Sequence, residues 1–132
     1  GIPHWAVNEV WGVMKGYETY VGTKKFEINN PIFSKIRQIG KEYGATTGRP
    51  RQVNWSNMNL VQEASRVNGV THLVVNKMDI LDEIKSWRYW KDGQIVNCRD
   101  KYDFMGHIDS SLKLDPMSTV REIHFSESPE TI

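Results

Sequence analysis

Residues 2–17, IPHWAVNEVWGVMKGY, place Val7, Val10, Met14 and Tyr17 at the spacing of one helical face, with Trp11 beside them. The pattern predicts a first helix entered at Pro3. Gly12 and Gly16 fall on one side of it, where a neighbouring backbone can come close. A loop, YVGTKKFEIN, follows. Asn30-Pro31 then reads as a cap and first helical residue, with Ile32, Ile36, Ile39 and Tyr43 as the stripe of a second helix. Residues 44–55 break all periodicity and predict an ordered loop. Asn57 predicts the cap of a third helix with Leu60, Val61, Ala64 and Val67 on its inner face, ended by Asn68-Gly69.

The pattern then changes period. VTHLVV is nearly continuous apolar sequence rich in β-branched residues, the mark of a strand covered on both faces. IKSWRYW, KDG and QIVNC read as strand, tight Asp-Gly turn and strand. Residues 100–118 look irregular, with a turn at Asp115-Pro116, and VREIHF predicts a last short strand. These elements predict an α/β chain, with α+β as the alternative: a small mixed sheet with flanking helices in one domain spanning 1–132.

Composition narrows the function classes. The chain has 132 residues, 39% apolar and 25% charged, with a net charge of +1. That balance gives no blanket attraction to nucleic acid or to an anionic membrane. The longest apolar runs are far too short to span a bilayer, and no secretory leader is visible. The one cysteine, Cys98, cannot form an internal disulfide, which suits a reducing compartment and a cytoplasmic location. The first residue is glycine, so the expectation is a chain processed or cut from something longer.

Two stretches carry chemistry. NKMD, Asn76 to Asp79, sits where the apolar strand ends, the edge at which open α/β sheets bind ligands. An aspartate there can accept parallel hydrogen bonds from the N1–H and exocyclic amine of guanine, a pair that adenine does not offer. The lysine stem can lie along the purine face. The bland reading is a solvated, charged turn. The second stretch is GATTGRPR. Gly44 and Gly48 let the backbone approach a ligand, Thr46 and Thr47 offer hydroxyls, and Arg49 and Arg51 offer planar forks for carboxylate or phosphate. Its bland reading is a loop whose arginines are solvated or pair with the acid of the adjacent KEYG.

YGATTGRPRQVNW followed by NGVTHLVVNKMDIL resembles the adenylosuccinate synthetase family. GIPHWAVNEVWGVMKGYETYVG resembles that family's glycine-rich turn and the segment ending in its Lys-Ala-Tyr-x-Thr-Arg-Val-Gly signature, and HFSESPETI is similar to its Ser-x-Gly-Pro loop. The resemblance implies the C-terminal part of a P-loop-NTPase-related fold, in an enzyme that joins IMP to L-aspartate with GTP and Mg²⁺ and works as a homodimer. Carried over, Ala45, Thr46, Thr47, Gly48 and Arg49 belong to the aspartate and IMP side. Arg51, Lys77, Met78 and Asp79 belong to the GTP side, with Ser126, Glu127 and Ser128 flanking the base. No catalytic residue or Mg²⁺ ligand of the family falls in this chain, since its phosphate-binding glycine loop, catalytic aspartate and catalytic histidine lie in an N-terminal part. The expectation is that the chain alone is inactive.

The chain departs from the family pattern at Tyr20 (for arginine), Lys24-Lys25 (for Gly-Pro), Asn54 (for glycine) and Glu127-Ser128 (for x-Gly). These departures leave the nucleotide open between IMP and a related purine, and a divergent viral or phage-like member is one source of so compact a version. Two rival readings remain. One is a stand-alone guanine-nucleotide-binding module, or half of a split enzyme. The other is a nucleic-acid stacking platform built from Trp87, Tyr89 and Trp90 with Arg88 and Lys91. His4, His72, His107 and His124 are not expected to form a metal set with one another or with Cys98, because no pair has ligand spacing. His72 is expected in a strand and the others on the surface.

Overall fold

The strand β4 (His72–Asn76) runs between β1 (Trp11–Lys15) and β7 (Glu122–Phe125), all parallel. Leu73, Val74 and Val75 are buried, as a strand covered on both faces requires. This computed structural model describes residues 9–45 and 48–127. Over residues 9–17 the predicted first helix is replaced by β1 and by the start of β2 (Tyr17–Tyr20), hinged at Gly16. The remainder of that predicted helix lies outside the described residues. The reason is tertiary. Two glycines weaken a helix here, whereas Trp11 to Lys15 pair register by register with His72 to Asn76.

A second sheet has the order β2-β3-β5-β6, with β3 at Gln52–Asn57, β5 at Arg88–Lys91 and β6 at Gln94–Asn97. The ordered loop predicted over 44–55 therefore ends early, because Gln52 to Trp55 pair antiparallel with β2. Asn54 uses its side chain across this sheet, donating to the Phe26 carbonyl at 2.8 Å and accepting from Trp90 Nε1 at 2.9 Å.

The helices follow their caps more faithfully than their predicted stripes. α1 (Ile32–Ile39) opens where Asn30 Oδ1 accepts from the Ile32 N–H at 3.0 Å. It buries Phe33 and Ile36, and Tyr43 lies beyond its end. α2 (Met58–Asn68) is capped by Asn57, which accepts from the Leu60 N–H at 3.3 Å, and ends at Gly69 with φ 62°. Its inner face is Met58, Val61 and Ser65; Leu60 and Val67 are 55% and 79% exposed. Met58 follows β3 without a loop, so its side chain sets the inward direction and the i, i+3, i+7 positions follow.

α3 (Met78–Ile84) starts one residue after β4 and takes the first residue of the predicted hairpin strand, Ile84. The hairpin itself turns at Asp92 and Gly93, both with positive φ, as a type I′ turn demands. Residues 100–118 hold a helix that the sequence reading did not predict, α4 (Lys101–Lys113). Asp100 caps it by accepting from the Asp103 N–H at 2.8 Å, and Phe104, Ile108 and Leu112 enter the core at i, i+4 and i+8.

One buried charge joins several of these pieces. Glu42, 2% exposed, follows α1 and accepts from Tyr17 Oη at 2.5 Å, from Lys15 Nζ at 3.3 Å and from Arg51 Nη1 at 3.1 Å. Burial pushes the Glu42 carboxyl up, but the Tyr17 hydrogen bond and the Lys15 charge outweigh it and the net shift is downward. Burial, then Glu42 itself, pushes the Tyr17 hydroxyl well above its usual value. Gly40 leaves room for this bond: a Cβ there would stand 2.4 Å from Tyr17 Oη.

Tyr17→Phe removes one donor from a buried carboxylate and lowers stability by about 1–3 kcal/mol, read as a urea midpoint near neutral pH. Because the Glu42 carboxyl is held low, its contribution is present above the ordinary carboxylate range and is lost as pH falls through its lowered value. The raised Tyr17 hydroxyl acts in the opposite sense, with stability lost as pH climbs past about 10. Tyr17→Phe flattens both limbs of a stability–pH curve. Gly69→Ala, at a left-handed position, lowers stability by about 1–2 kcal/mol in the same assay.

Candidate functional site

The NKMD stretch turns a corner. Asn76 ends β4, Lys77 adopts a left-handed backbone at φ 64°, and Met78 opens α3. This corner exposes Asp79 in the first turn of α3 and half-exposes Lys77, while Met78 is fully buried. Met78 thus serves the predicted base site as a core anchor, and Lys77 and Asp79 are the side chains that present chemistry. Asn76 Oδ1 is a buried acceptor with no hydrogen-bond partner among the described residues.

The chain leaving β7 is stitched to this corner. The Ser126 N–H donates to the Val75 carbonyl at 2.8 Å, and the Ser126 carbonyl accepts from the Met78 N–H at 3.3 Å. Ser126 is buried, while Glu127 is exposed and pairs with Lys101 at the start of α4. A cleft of about 340 Å³ lies beside them, lined by Met78, Lys101, Tyr102, Met105, Phe125 and Glu127. Ser128 lies outside the described residues.

The arginine loop has a closed neck. Tyr43 and Pro50 form an antiparallel bridge, the Arg51 N–H donates to the Glu42 carbonyl at 3.0 Å, and the Gly44 N–H donates to the Arg49 carbonyl at 2.8 Å. Ala45, Gly48, Arg49 and Pro50 are exposed, and Gly48 has φ 68°. Arg49 therefore sits on the exposed part of the loop. Arg51 is partly buried against Glu42, as the bland reading of this loop allowed. Thr46 and Thr47 lie outside the described residues.

Both motifs share a neighbourhood. The Gly16 N–H donates to the Asn76 carbonyl at 2.9 Å, tying the β1–β2 hinge to the end of β4. α1 packs on α3. Lys77 is near enough to Glu42 to help hold its carboxyl down, after Tyr17 and Lys15. Asp79 adds to the upward push on Tyr17, behind burial and Glu42, while Arg51 opposes it. Lys15, Arg51 and Lys77 thus outnumber Glu42 and Asp79 along this edge, which favours an anion.

The nucleic-acid reading loses its platform. Trp87 and Tyr89 are buried, Trp87 against Phe104 with ring centroids 5.4 Å apart, and Trp90 is half-buried and bonded to Asn54. The reading of the histidines also needs correction. His72 is a strand residue as expected, but His107 and His124 are half-buried. Ligand atoms of Cys98, Asp103 and His107 lie within 4.8 Å of one another. Sequence spacing missed this set because it spans a strand end and a helix that was not predicted. Asp103 and His107 meet only once α4 puts i and i+4 on one face. His4 lies outside the described residues. None of the described helices is long and apolar enough to cross a membrane.

Residues 1–105 match the adenylosuccinate synthetase family. The chain is 43% identical to adenylosuccinate synthetase of Acetivibrio thermocellus over 94 residues, which are 67% of this chain and 22% of that protein. It is 39% identical to the enzyme of Halothermothrix orenii over 120 residues, 89% of this chain and 28% of that one. Its fold is similar to fully ligated adenylosuccinate synthetase from Plasmodium falciparum, with a TM-score of 0.60 and 31% identity over 74% of this chain and 25% of that chain. The chain spans roughly a quarter of the length of these relatives. On the extent of the match, 1–105 of 132 residues, the chain belongs to the adenylosuccinate synthetase family.

Proposed function

We propose that this chain is the base-reading and aspartate-holding part of a GTP-dependent ligase that joins IMP, or a related purine nucleotide, to L-aspartate. The observation that carries the proposal is the shared edge. Arg51 of one chemistry-bearing stretch pairs with the Glu42 carboxylate at 3.1 Å, and the charge of Lys77 from the other is near enough to help lower that carboxyl.

Each residue then has a task. Asp79, exposed at the start of α3, accepts the guanine N1–H and amine, and the Lys77 stem lies along the base. Ser126, Glu127 and Ser128 flank that base, with Ser126 held by its backbone to the end of β4. Ala45, Thr46, Thr47 and Gly48 close on L-aspartate, and Arg49 holds its carboxylate beside the purine nucleotide. Glu42 steadies the Arg51 arm through Nη1, and a guanidinium has more donors than that contact uses, so Arg51 can also face the GTP side. Arginines here offset the repulsion between a dicarboxylate substrate and a phosphorylated intermediate, and a closed loop shuts out water.

Mg²⁺ would neutralise phosphate charge in the complete enzyme. The described residues of this edge do not make a set for it, because Glu42 is already satisfied by Tyr17, Lys15 and Arg51 and that leaves the single carboxylate of Asp79, which the base takes. Its ligands belong to the remainder of a longer protein, or to a partner half, and assembly as a homodimer follows the family.

Incubated with IMP, GTP, Mg²⁺ and aspartate, the chain by itself releases no phosphate above background; robust release would overturn the assignment of catalysis to residues elsewhere. In calorimetry the chain binds GTP in preference to ATP. Asp79→Asn removes that preference by about tenfold or more and improves binding of the xanthine nucleotide, whose 2-oxo group accepts from the new amide. Equal affinity of the unmodified chain for GTP and ATP would remove Asp79 from the base site.

A further inference from the structure

Away from the nucleotide edge, the end of β6 and the first turns of α4 bring together side chains with no task in the proposed reaction. Cys98 follows β6, and Asp103 and His107 share one face of α4. We infer that Cys98, Asp103 and His107 form a binding site for a borderline-soft divalent transition metal, zinc(II) in the first instance, with the fourth position left to water.

The donor set selects the ion. A thiolate, an imidazole and a carboxylate suit zinc and its neighbours and not magnesium or calcium, which take oxygen ligands. The geometry is near that of a bound ion. Tetrahedral zinc with bonds of roughly 2.0–2.3 Å places its ligand atoms roughly 3.3–3.8 Å apart. His107 Nε2 and Asp103 Oδ1 already stand 3.4 Å apart, and all the ligand atoms fall within 4.8 Å. Side-chain rotation of about an ångström closes the set around an ion.

Supporting contacts aim the ligands. Tyr89 Oη lies 2.6 Å from His107 Nδ1. With the proton on Nδ1, the imidazole donates to Tyr89 and turns the lone pair of Nε2 toward Asp103 and Cys98, the way outer partners orient a metal-bound histidine. Asp103 Oδ2 accepts from the Arg99 N–H at 2.9 Å, which fixes the carboxylate and leaves Oδ1 on the histidine side. Arg99 Nη2 also approaches Oδ1, at 3.4 Å, but that side chain is 86% exposed and can yield its place to an ion at little cost.

The electrostatics agree. Asp100 caps α4 beside the cluster, so two carboxylates, Asp100 and Asp103, stand at the helix start next to Cys98. A cleft of about 590 Å³ lined by Tyr89, Arg99, Asp103, Gly106 and His107 gives the ion a path in and room for its water. The site would pin the hairpin to α4, whose Lys101, Tyr102 and Met105 wall the cleft beside NKMD.

The test is titration of the chain with Zn²⁺ alone, and with Co²⁺ as a spectroscopic substitute. The expected result is one saturable site, with a thiolate-to-cobalt charge-transfer band. Cys98→Ser abolishes the band, and Cys98→Ser and His107→Gln each weaken binding at least about tenfold. Tyr89→Phe weakens binding by about tenfold through ring orientation, and His124→Gln leaves it unchanged. On the unmodified chain, where no variant can misfold, Zn²⁺ slows alkylation of Cys98 and Mg²⁺ does not. No saturable binding, binding that survives both ligand variants, or alkylation at the same rate with and without Zn²⁺ would overturn the site. None of these readouts depends on nucleotide binding, so the outcome stands apart from that of the proposed ligase function.

Discussion

A carboxylate almost out of reach of water must be surrounded by donors, and Glu42 draws its donors from distant parts of the chain. Lys15 comes from β1, Tyr17 from β2 and Arg51 from the approach to β3. Removing one partner of a buried charge costs more than the pair contributes, because the desolvated group is left exposed to its own field. The segments bearing these residues are therefore held in a narrow range of positions. That constraint sets the neck of the arginine loop, since the Arg51 N–H also reaches the Glu42 carbonyl. It also supplies the positive edge, because cations gathered to serve Glu42 stand next to Lys77.

The site is thus a by-product of joining two sheets. The parallel sheet delivers NKMD at the carboxyl end of its central strand, where ligands of open α/β sheets bind. The mixed sheet delivers the arginine loop on the approach to β3. Gly16 is the hinge between them, with its N–H bonded to the end of β4. A chain that spans roughly a quarter of its relatives keeps this junction within its own residues.

Features governed by neighbouring residues were legible in the sequence. The Asn57 cap, the Gly69 stop, the buried strand and the Asp92-Gly93 turn each rest on a handful of adjacent positions. Where partners are remote, the reading failed. Val10, Met14 and Tyr17 have helical spacing by coincidence. What decides the outcome over Trp11 to Lys15 is pairing with β4, which no local pattern contains. α4 was missed because Gly106, Ser110 and Ser111 dilute its stripe, although Asp100 followed by Phe104, Ile108 and Leu112 was an available signal. At this edge, the charge and donor type of Lys77, Asp79 and Arg49 follow from residue identity alone. The burial of Met78 and the claim of Glu42 on Arg51 do not, since both depend on what packs from elsewhere.

The parallel sheet also dictates when the corner bearing Asp79 can exist. Val10 meets Thr71 across 61 positions of sequence, and Val70 meets Thr119 across 49. Contacts of that span form late, because long loops must close before any pairing rewards them. The β5–β6 hairpin and the capped helices can form while the chain is still emerging from the ribosome. The corner that carries Asp79 acquires its final shape only after β7 has been synthesised and has docked on β4. The Asp79 corner is in this sense among the last parts of the described fold to settle.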